Sequence, residues 1–212
     1  MNRLFTLAVA AFLPLASSAE TTTWTIDPVH STSSFAVKHL VITTVHGQFG
    51  KTTGTVQFDE QDPTKSKAEA TIDVTTINTQ NDKRDADLKS PNFFDAANNP
   101  TMTFKSTKVE KTGADKFEVT GDLTIRSHTK PVTLEATVSQ PVKGMQGELR
   151  RGFSATGRIN RKDFGLNYSK AIEAGPVVGD SVDLLIEAEA VKAQPGATAK
   201  AKAANAEEKK QP

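Results

Sequence analysis

Few residues in this chain could do chemistry. The imidazoles are His30, His39, His46 and His128, and no two are spaced i,i+4 as a metal-binding helix face requires. Near strand ends they could hold a metal or a polar ligand group. A hydrogen-bonded loop histidine is the simpler reading, and no metal site is assigned. Asp27, His30 and Ser31 have the residue types of a nucleophilic triad. Neighbouring side chains at a strand end point in different directions, so no catalytic residue is assigned. GxSxG, HExxH, P-loop and GxGxxG patterns are all absent. Zero Cys excludes disulfides, thiolate nucleophiles and Cys-based zinc sites. No cofactor is implied. Asn167-Tyr168-Ser169 is formally a glycosylation sequon, which matters only where that machinery exists.

The densest polar stretch runs from Asn81 to Ser90 and continues into Pro91-Asn-Phe93-Phe94-Asp95. It reads as a short helix, Asn81–Leu88, with Asn78 or Asn81 as its cap. Arg84 there either pairs with Asp85 or Asp95 and fixes the loop, or meets a phosphate. Phe93 and Phe94 read as a plug for one end of the fold.

The rest of the chain must position these groups. It has 212 residues, 26 Lys+Arg, 25 Asp+Glu and a formal charge of +1, which is no polyelectrolyte signature for nucleic acid. Residues 1–19 read as an export signal: Arg3, an apolar run from Leu4 to Leu15, then Ser17-Ser18-Ala19 before a cleavage point near Ala19. That run is short of the roughly 20 residues a spanning helix needs. An uncleaved N-terminal helix is the alternative. Residues 192–212 carry five Lys against two Glu and lack core formers other than Thr198, so they read as a disordered tail. Contact with an anionic membrane is the alternative for the tail. Residues 20–191 carry 20 basic against 23 acidic residues, as expected of an ordinary globular domain.

That domain alternates with period two. Lys67–Val74, Phe117–Ile125, Pro131–Ser139, Gly152–Asn160 and Ser181–Val191 each put apolar residues on one face and charged residues or Thr on the other. Shorter strands fit Trp24–Ile26, Ser33–Val37, Gly54–Phe58 and Met102–Thr107. Turns fall at Asp62-Pro63, Lys111-Thr112-Gly113, Ser127-His128-Thr129 and Lys143-Gly144. The class is all-β, a closed barrel or a sandwich. A charged, Thr-rich second face with one Trp and one Tyr excludes a membrane barrel. Several inward positions are small: Ala68, Ala70, Gly121, Ala136, Ala155, Gly157, Ala188 and Ala190. Either they leave room for an apolar guest, or they sit at pinched ends and opposite Phe.

An ordered series of short motifs then resembles a known family. Trp24-Thr-Ile-Asp27-Pro28-Val-His30-Ser31 with Phe35-Ala-Val37-Lys38-His39-Leu40 is similar to the opening of the YceI-like, polyisoprenoid-binding, lipocalin-like proteins. Gly47-x-Phe49, Arg84-Asp85-x-x-Leu88-x-Ser90, Phe93-Phe94-Asp95, Pro100-x-x-x-Phe104, Gly121-x-Leu123-Thr124-Ile125 and Arg161-x-Asp163-Phe164-Gly165 follow in order. Asp87 stands where the family commonly has His, so a polar role of that His does not carry over. The tail lies outside the pattern.

The resemblance implies an extended eight-stranded antiparallel lipocalin-like barrel with one short helix and an apolar interior cavity. It implies a periplasmic or secreted binding protein, not an enzyme, that holds a polyisoprenoid, quinone or fatty-acid-like lipid for transport, storage or scavenging. A redox accessory or lipid-modifying enzyme serving a membrane cytochrome is the alternative. On this reading the small inward residues become room for a chain. The expected lining is Phe35, Val37, Ala68, Ala70, Ile72, Met102, Phe104, Leu123, Leu134, Ala136, Phe153, Ala155, Leu184 and Ile186. Lys38, His39 and Arg84 are the expected head-group contacts. The chain is expected not to span the membrane, and a homodimer is left open.

Overall fold

Alternating apolar and polar residues can bury one face only if the sheet curls around that face. The computed structural model describes residues 21–168, 170–172 and 175–194. The export-signal reading and all of the tail beyond Gln194 lie outside those residues. Eight antiparallel strands form the fold. Strand β1 has two segments, Thr22–Ile26 and Thr32–His39, and β2 has two, Thr43–Phe49 and Thr52–Phe58. Strand β3 is Lys67–Asp73, extended by Ile77–Asn78 after a single 3-10 turn. The helix α1, Asp82–Lys89, follows. Then come β4 (Thr101–Lys111), β5 (Lys116–Ile125), β6 (His128–Val138), β7 (Leu149–Asn160) and β8 (Val178–Lys192).

Each strand pairs with the next in the chain, and β8 returns to pair with both segments of β1. The sheet is therefore a closed up-and-down barrel. The upper end carries the β1–β2 turn, α1, the β5–β6 turn and the β7–β8 connection. The lower end carries the remaining loops and the point where β8 ends.

Two breaks bend the long first hairpin. In β1, Pro28 has no N–H to give the ladder. There the Asp27 carboxylate accepts from the Val29 N–H at 2.9 Å, and Ser31 Oγ donates to the Glu189 carbonyl at 3.3 Å and accepts from its N–H at 3.1 Å. In β2, the break at Gly50 and Lys51 is bridged by Thr76 Oγ1, which accepts from the Gly50 N–H at 3.0 Å.

Most of the strand boundaries expected from the pattern agree with these to within a few residues. The first half of β2, Thr43–Phe49, was not expected: it offers only Val45 and Phe49 inward, with Gly47 between them. At Gly47 the Phe35 ring of the paired strand takes the space a side chain would fill, since a Cβ would lie 2.3 Å from it. The expected turn Ser127-His128-Thr129 is corrected to Arg126 and Ser127, since His128 and Thr129 already pair in β6. Arg126 takes the positive φ of 54° that a two-residue turn needs. At the far end, β8 includes Lys192, one residue past the expected boundary.

Two apolar clusters fill the barrel ends. The upper one centres on Phe49, Ile72, Val74, Ile77, Phe164 and Leu166, with Phe94 and Leu88 packed on it. The lower one is Trp24, Phe58, Val109, Phe117 and Ala190, with Phe153 edge-on to both Trp24 and Phe58. A buried arginine holds the upper connection. Arg161 is 4% exposed and donates to the carbonyls of Gly179 (2.9 Å), Val178 (3.3 Å) and Leu166, and to Asp180 Oδ1 (2.9 Å).

Replacing Arg161 by Met would orphan three carbonyls in one step. Urea denaturation of Arg161→Met is expected to show a loss of about 3 kcal/mol in unfolding free energy. Arg158→Met, whose Asp183 partner lies on the solvated outer face, is expected to leave the midpoint essentially in place.

Candidate functional site

Between the two clusters the barrel is not filled. A cavity of about 270 Å³ runs along the interior, from Val37, Leu88 and Val178 at the upper end to Phe117 and Val138 at the lower. Its wall is almost wholly apolar. Phe35, Val37, Ala68, Ala70, Phe104, Ala136, Phe153, Ala155, Leu184 and Ile186 point inward yet remain half-exposed, because the space they face is open. All fourteen residues expected as lining stand on this wall, including Ile72, Met102, Leu123 and Leu134. Arg161, Leu166 and Val178 also line it. They were missed because they lie in or beside the irregular β7–β8 connection, where period two gives no signal.

The small inward residues divide into two groups. Ala68, Ala70, Ala136, Ala155 and Ala188 line the cavity, and Ala136 and Ala155 are direct cross-strand partners. Gly121 and Gly157 do not add space. A Cβ at Gly121 would lie 2.5 Å from the Phe104 ring, and one at Gly157 2.5 Å from Leu134 Cδ2. Ala190 lies fully buried in the lower cluster.

The lower end is closed by edge-on aromatics and a cation. The Arg151 guanidinium lies 5.0 Å from the Trp24 ring centroid and 4.9 Å from that of Phe58, with Glu60 2.7 Å from its Nη1. The ring faces attract the buried cation. The upper end is covered by Phe93 and Phe94, both lining the cavity, as expected of a plug. Phe94 meets Phe49 edge-on at 5.7 Å.

The polar candidates at the upper rim are not gathered together. Asn81 caps α1, accepting from the Arg84 N–H at 2.9 Å. The Arg84 guanidinium donates to Thr79 Oγ1 and Thr79 O, both at 2.8 Å, and Asp85 accepts from the Thr79 N–H at 2.8 Å. The expected ion pair of Arg84 with Asp85 or Asp95 is therefore corrected: Arg84 and Asp85 meet at Thr79 instead, and Asp95 accepts from Asn98 and Asn99. Arg84, Lys83 and Lys170 border a shallow depression beside α1 that Tyr168 and Asp87 also line. Tyr168 packs on Phe93, ring centroids 4.8 Å apart, so one aromatic pair separates this depression from the cavity. Lys38 is exposed and His39 half-buried at the end of β1, and neither lines the depression.

The triad-like residues do not assemble a nucleophile. His30 Nδ1 lies 3.0 Å from Asp27 Oδ2, but the Ser31 hydroxyl is committed to the Glu189 backbone. Asp27, His30 and Glu189 are close enough to hold a metal. That space already contains a cation, since Arg150 reaches Asp27 at 3.0 Å, Glu148 at 2.6 Å and Glu189. Among the described residues, no helix is long and apolar enough to cross a membrane.

Residues 24–190 match the YceI-like domain. The chain belongs to the YceI-like family. Protein YceI of Escherichia coli O6:H1 is 37% identical over 191 residues, covering 89% of this chain and 97% of that protein. Among solved structures, Burkholderia cenocepacia BcnA superposes with a TM-score of 0.69 at 26% identity, covering 77% of this chain and 98% of that one. A polyisoprenoid binding domain from Saccharophagus degradans shares the fold with a TM-score of 0.60 at 14% identity, covering 82% of this chain and all of that one. In this YceI-like chain the ladder crosses the break in β1 through the Asp27 N–H, which donates to the Glu189 carbonyl at 2.8 Å, and through Ser31, while the Asp27 carboxylate ties down Val29 and His30.

The Asp27 carboxyl is held down at about 2, first by His30, then by the Val29 N–H and Arg150. A carboxyl depressed in the folded state stabilises in full above its ordinary 3.8 and loses that contribution as pH falls towards about 2. Urea midpoints across this window are expected to fall more steeply for the wild type than for Asp27→Asn, the two curves converging at the acid end.

Proposed function

We propose that this protein is an exported binding protein that holds a long-chain amphiphile inside the barrel. One observation carries the reading: a continuous apolar cavity whose inward side chains stay half-exposed because none of the described residues fills it. Open apolar space of this kind forfeits dispersion contacts, and a guest restores them.

The shape supports an elongated guest. Eleven-residue strands such as β4 and β6 are about 36 Å long, and at a tilt of about 40° they make a barrel roughly 28 Å tall. Burying about 500 Å² of lipid tail contributes on the order of 12 kcal/mol before ordering and translational costs. Such burial is non-directional, so selection among tails is weak and the head group decides identity. A polyisoprenoid, a quinone tail or a fatty-acid-like chain each satisfies the wall, and the relative from Saccharophagus degradans is itself described as polyisoprenoid-binding.

Export completes the reading. Residues 1–19 act as a cleaved signal, and the mature protein works in the periplasm or outside the cell, carrying, storing or scavenging its guest. Arg84, with Lys83 and Lys170 beside it, is the head-group contact for a phosphorylated lipid.

Native mass spectrometry of protein purified from its own host is expected to show a bound long-chain lipid. An empty barrel under those conditions would overturn the proposal. Filling the space between β6 and β7 with Ala155→Phe is expected to weaken farnesol binding by at least about tenfold while leaving thermal unfolding cooperative. Arg84→Ala is expected to weaken farnesyl pyrophosphate but not farnesol; equal affinity of mutant and wild type for the pyrophosphate would remove Arg84 from the site.

A further inference from the structure

The turn between β1 and β2 contradicts its own sequence. Both central residues have positive φ, 52° at Leu40 and 66° at Val41, and the Ile42 N–H donates to the His39 carbonyl at 3.2 Å. Positive φ at both positions is the type I′ pattern, which hairpins fill with Asn-Gly or Gly-Gly because L side chains resist it. A β-branched Val is among the poorest choices there. The residues are not kept for burial either: Val41 is 58% and Ile42 77% exposed. A strained backbone that presents two apolar side chains to solvent points to a use for those side chains.

The position says what that use is. Val37, two residues before His39, lines the cavity, and so does Val178. The Leu40 N–H is anchored to the carbonyl of Val177 at 3.0 Å, next to Val178. The tip therefore stands directly over the upper cavity wall. Lys38 is exposed beside it, long enough to reach lipid phosphates while its stem stays in apolar surroundings. Two aliphatic side chains suit shallow, reversible insertion into a lipid interface. They are far too little for a stable protein dimer, which buries about 800 Å² per partner.

The lower end offers a comparison. Val142 and Met145 are also exposed there, but that hairpin takes its positive φ of 87° at Gly147, where it costs nothing. Among the described residues, only the upper tip holds apolar side chains at positive φ.

We infer that Leu40–Ile42 is a membrane-contacting wedge: Val41 and Ile42 enter the interface of a phospholipid bilayer and set the upper end of the cavity against it. The inference rests on the lipid-guest reading for its purpose, but the contact itself is measurable without a guest.

The test uses the full chain and vesicles of phosphatidylcholine and phosphatidylethanolamine, which are zwitterionic and so give the basic tail no net charge to bind. Three variants are compared with wild type: Val41→Ser with Ile42→Ser, Leu40→Asn with Val41→Gly, and the lower-end control Val142→Ser with Met145→Ser. Both upper-tip variants are expected to co-sediment with vesicles at least about tenfold less and to slow transfer of a fluorescent farnesyl lipid between vesicles by a similar factor. Farnesol binding in solution should stay unchanged. The Asn-Gly variant should also melt at a higher temperature than wild type, since it relieves the strain while losing the contact. Wild-type co-sedimentation by the upper-tip variants, loss of contact in the lower-end control instead, or a tip-dependent dimer in place of vesicle contact would each overturn the inference. Failure of wild type to hold farnesol would overturn the guest reading alone, because co-sedimentation without guest still judges the wedge.

Discussion

Closure of the sheet is the constraint on which everything else depends. Strands β7 and β8 pair through eleven consecutive residues, from Arg150 opposite Val191 to Asn160 opposite Ser181, and β8 carries β1 on its other edge. Without that ladder the sheet would have two open edges and no inside. With it, every inward side chain must either fill the interior or line a space. The outer face is free to be polar, and it is: Thr120 and Thr133, and Thr124 and Thr129, join by hydroxyl contacts at 3.1 and 2.8 Å across β5 and β6.

Once closed, the barrel is filled unevenly. Trp24, Phe58 and Phe117 pack at the lower end and Phe49 and Phe94 at the upper, while Ala68, Ala70, Ala136 and Ala155 line the space between. The glycines refine this division. Gly47, Gly121 and Gly157 lie under Phe35, Phe104 and Leu134, letting large side chains lie flat against a neighbouring strand. The wall stays smooth without becoming wider. Small residues thus have two opposite effects on one surface, and only the partner across the ladder decides which.

The split explains what the sequence made legible. Period two placed the fourteen lining residues on one face, because alternation is the direct consequence of half-burial. Asn81 was readable as a cap because its side chain serves a local N–H. Arg84 was not readable: its partner is Thr79, a hydroxyl and a carbonyl, and no charge pattern announces such a pair. The Thr43–Phe49 segment was hidden because Gly47 replaces an apolar residue with the ring of Phe35 from the next strand. The Leu40-Val41 turn was hidden for a stronger reason, since its residues argue against the conformation they adopt. Misreadings concentrate where a residue answers to a distant partner or to a task other than folding.

The two buried arginines show how charge is kept out of the middle. Arg161 at the upper end satisfies its N–H groups with carbonyls of the β7–β8 connection and with Asp180. Arg151 at the lower end lies between the faces of Trp24 and Phe58, with Glu60 as its counter-ion. Burying a cation is costly unless it is compensated; carbonyls and Asp180 satisfy Arg161, whereas Arg151 keeps a buried Nε without a hydrogen-bond partner and relies on two ring faces and Glu60. Between them the wall is almost wholly apolar, and Ser33 and Thr52 bond to each other at 2.9 Å. A wall with so little directional chemistry cannot tell one apolar tail from another. Under the proposed function, discrimination would therefore fall to the rim, in the few residues that a head group would meet.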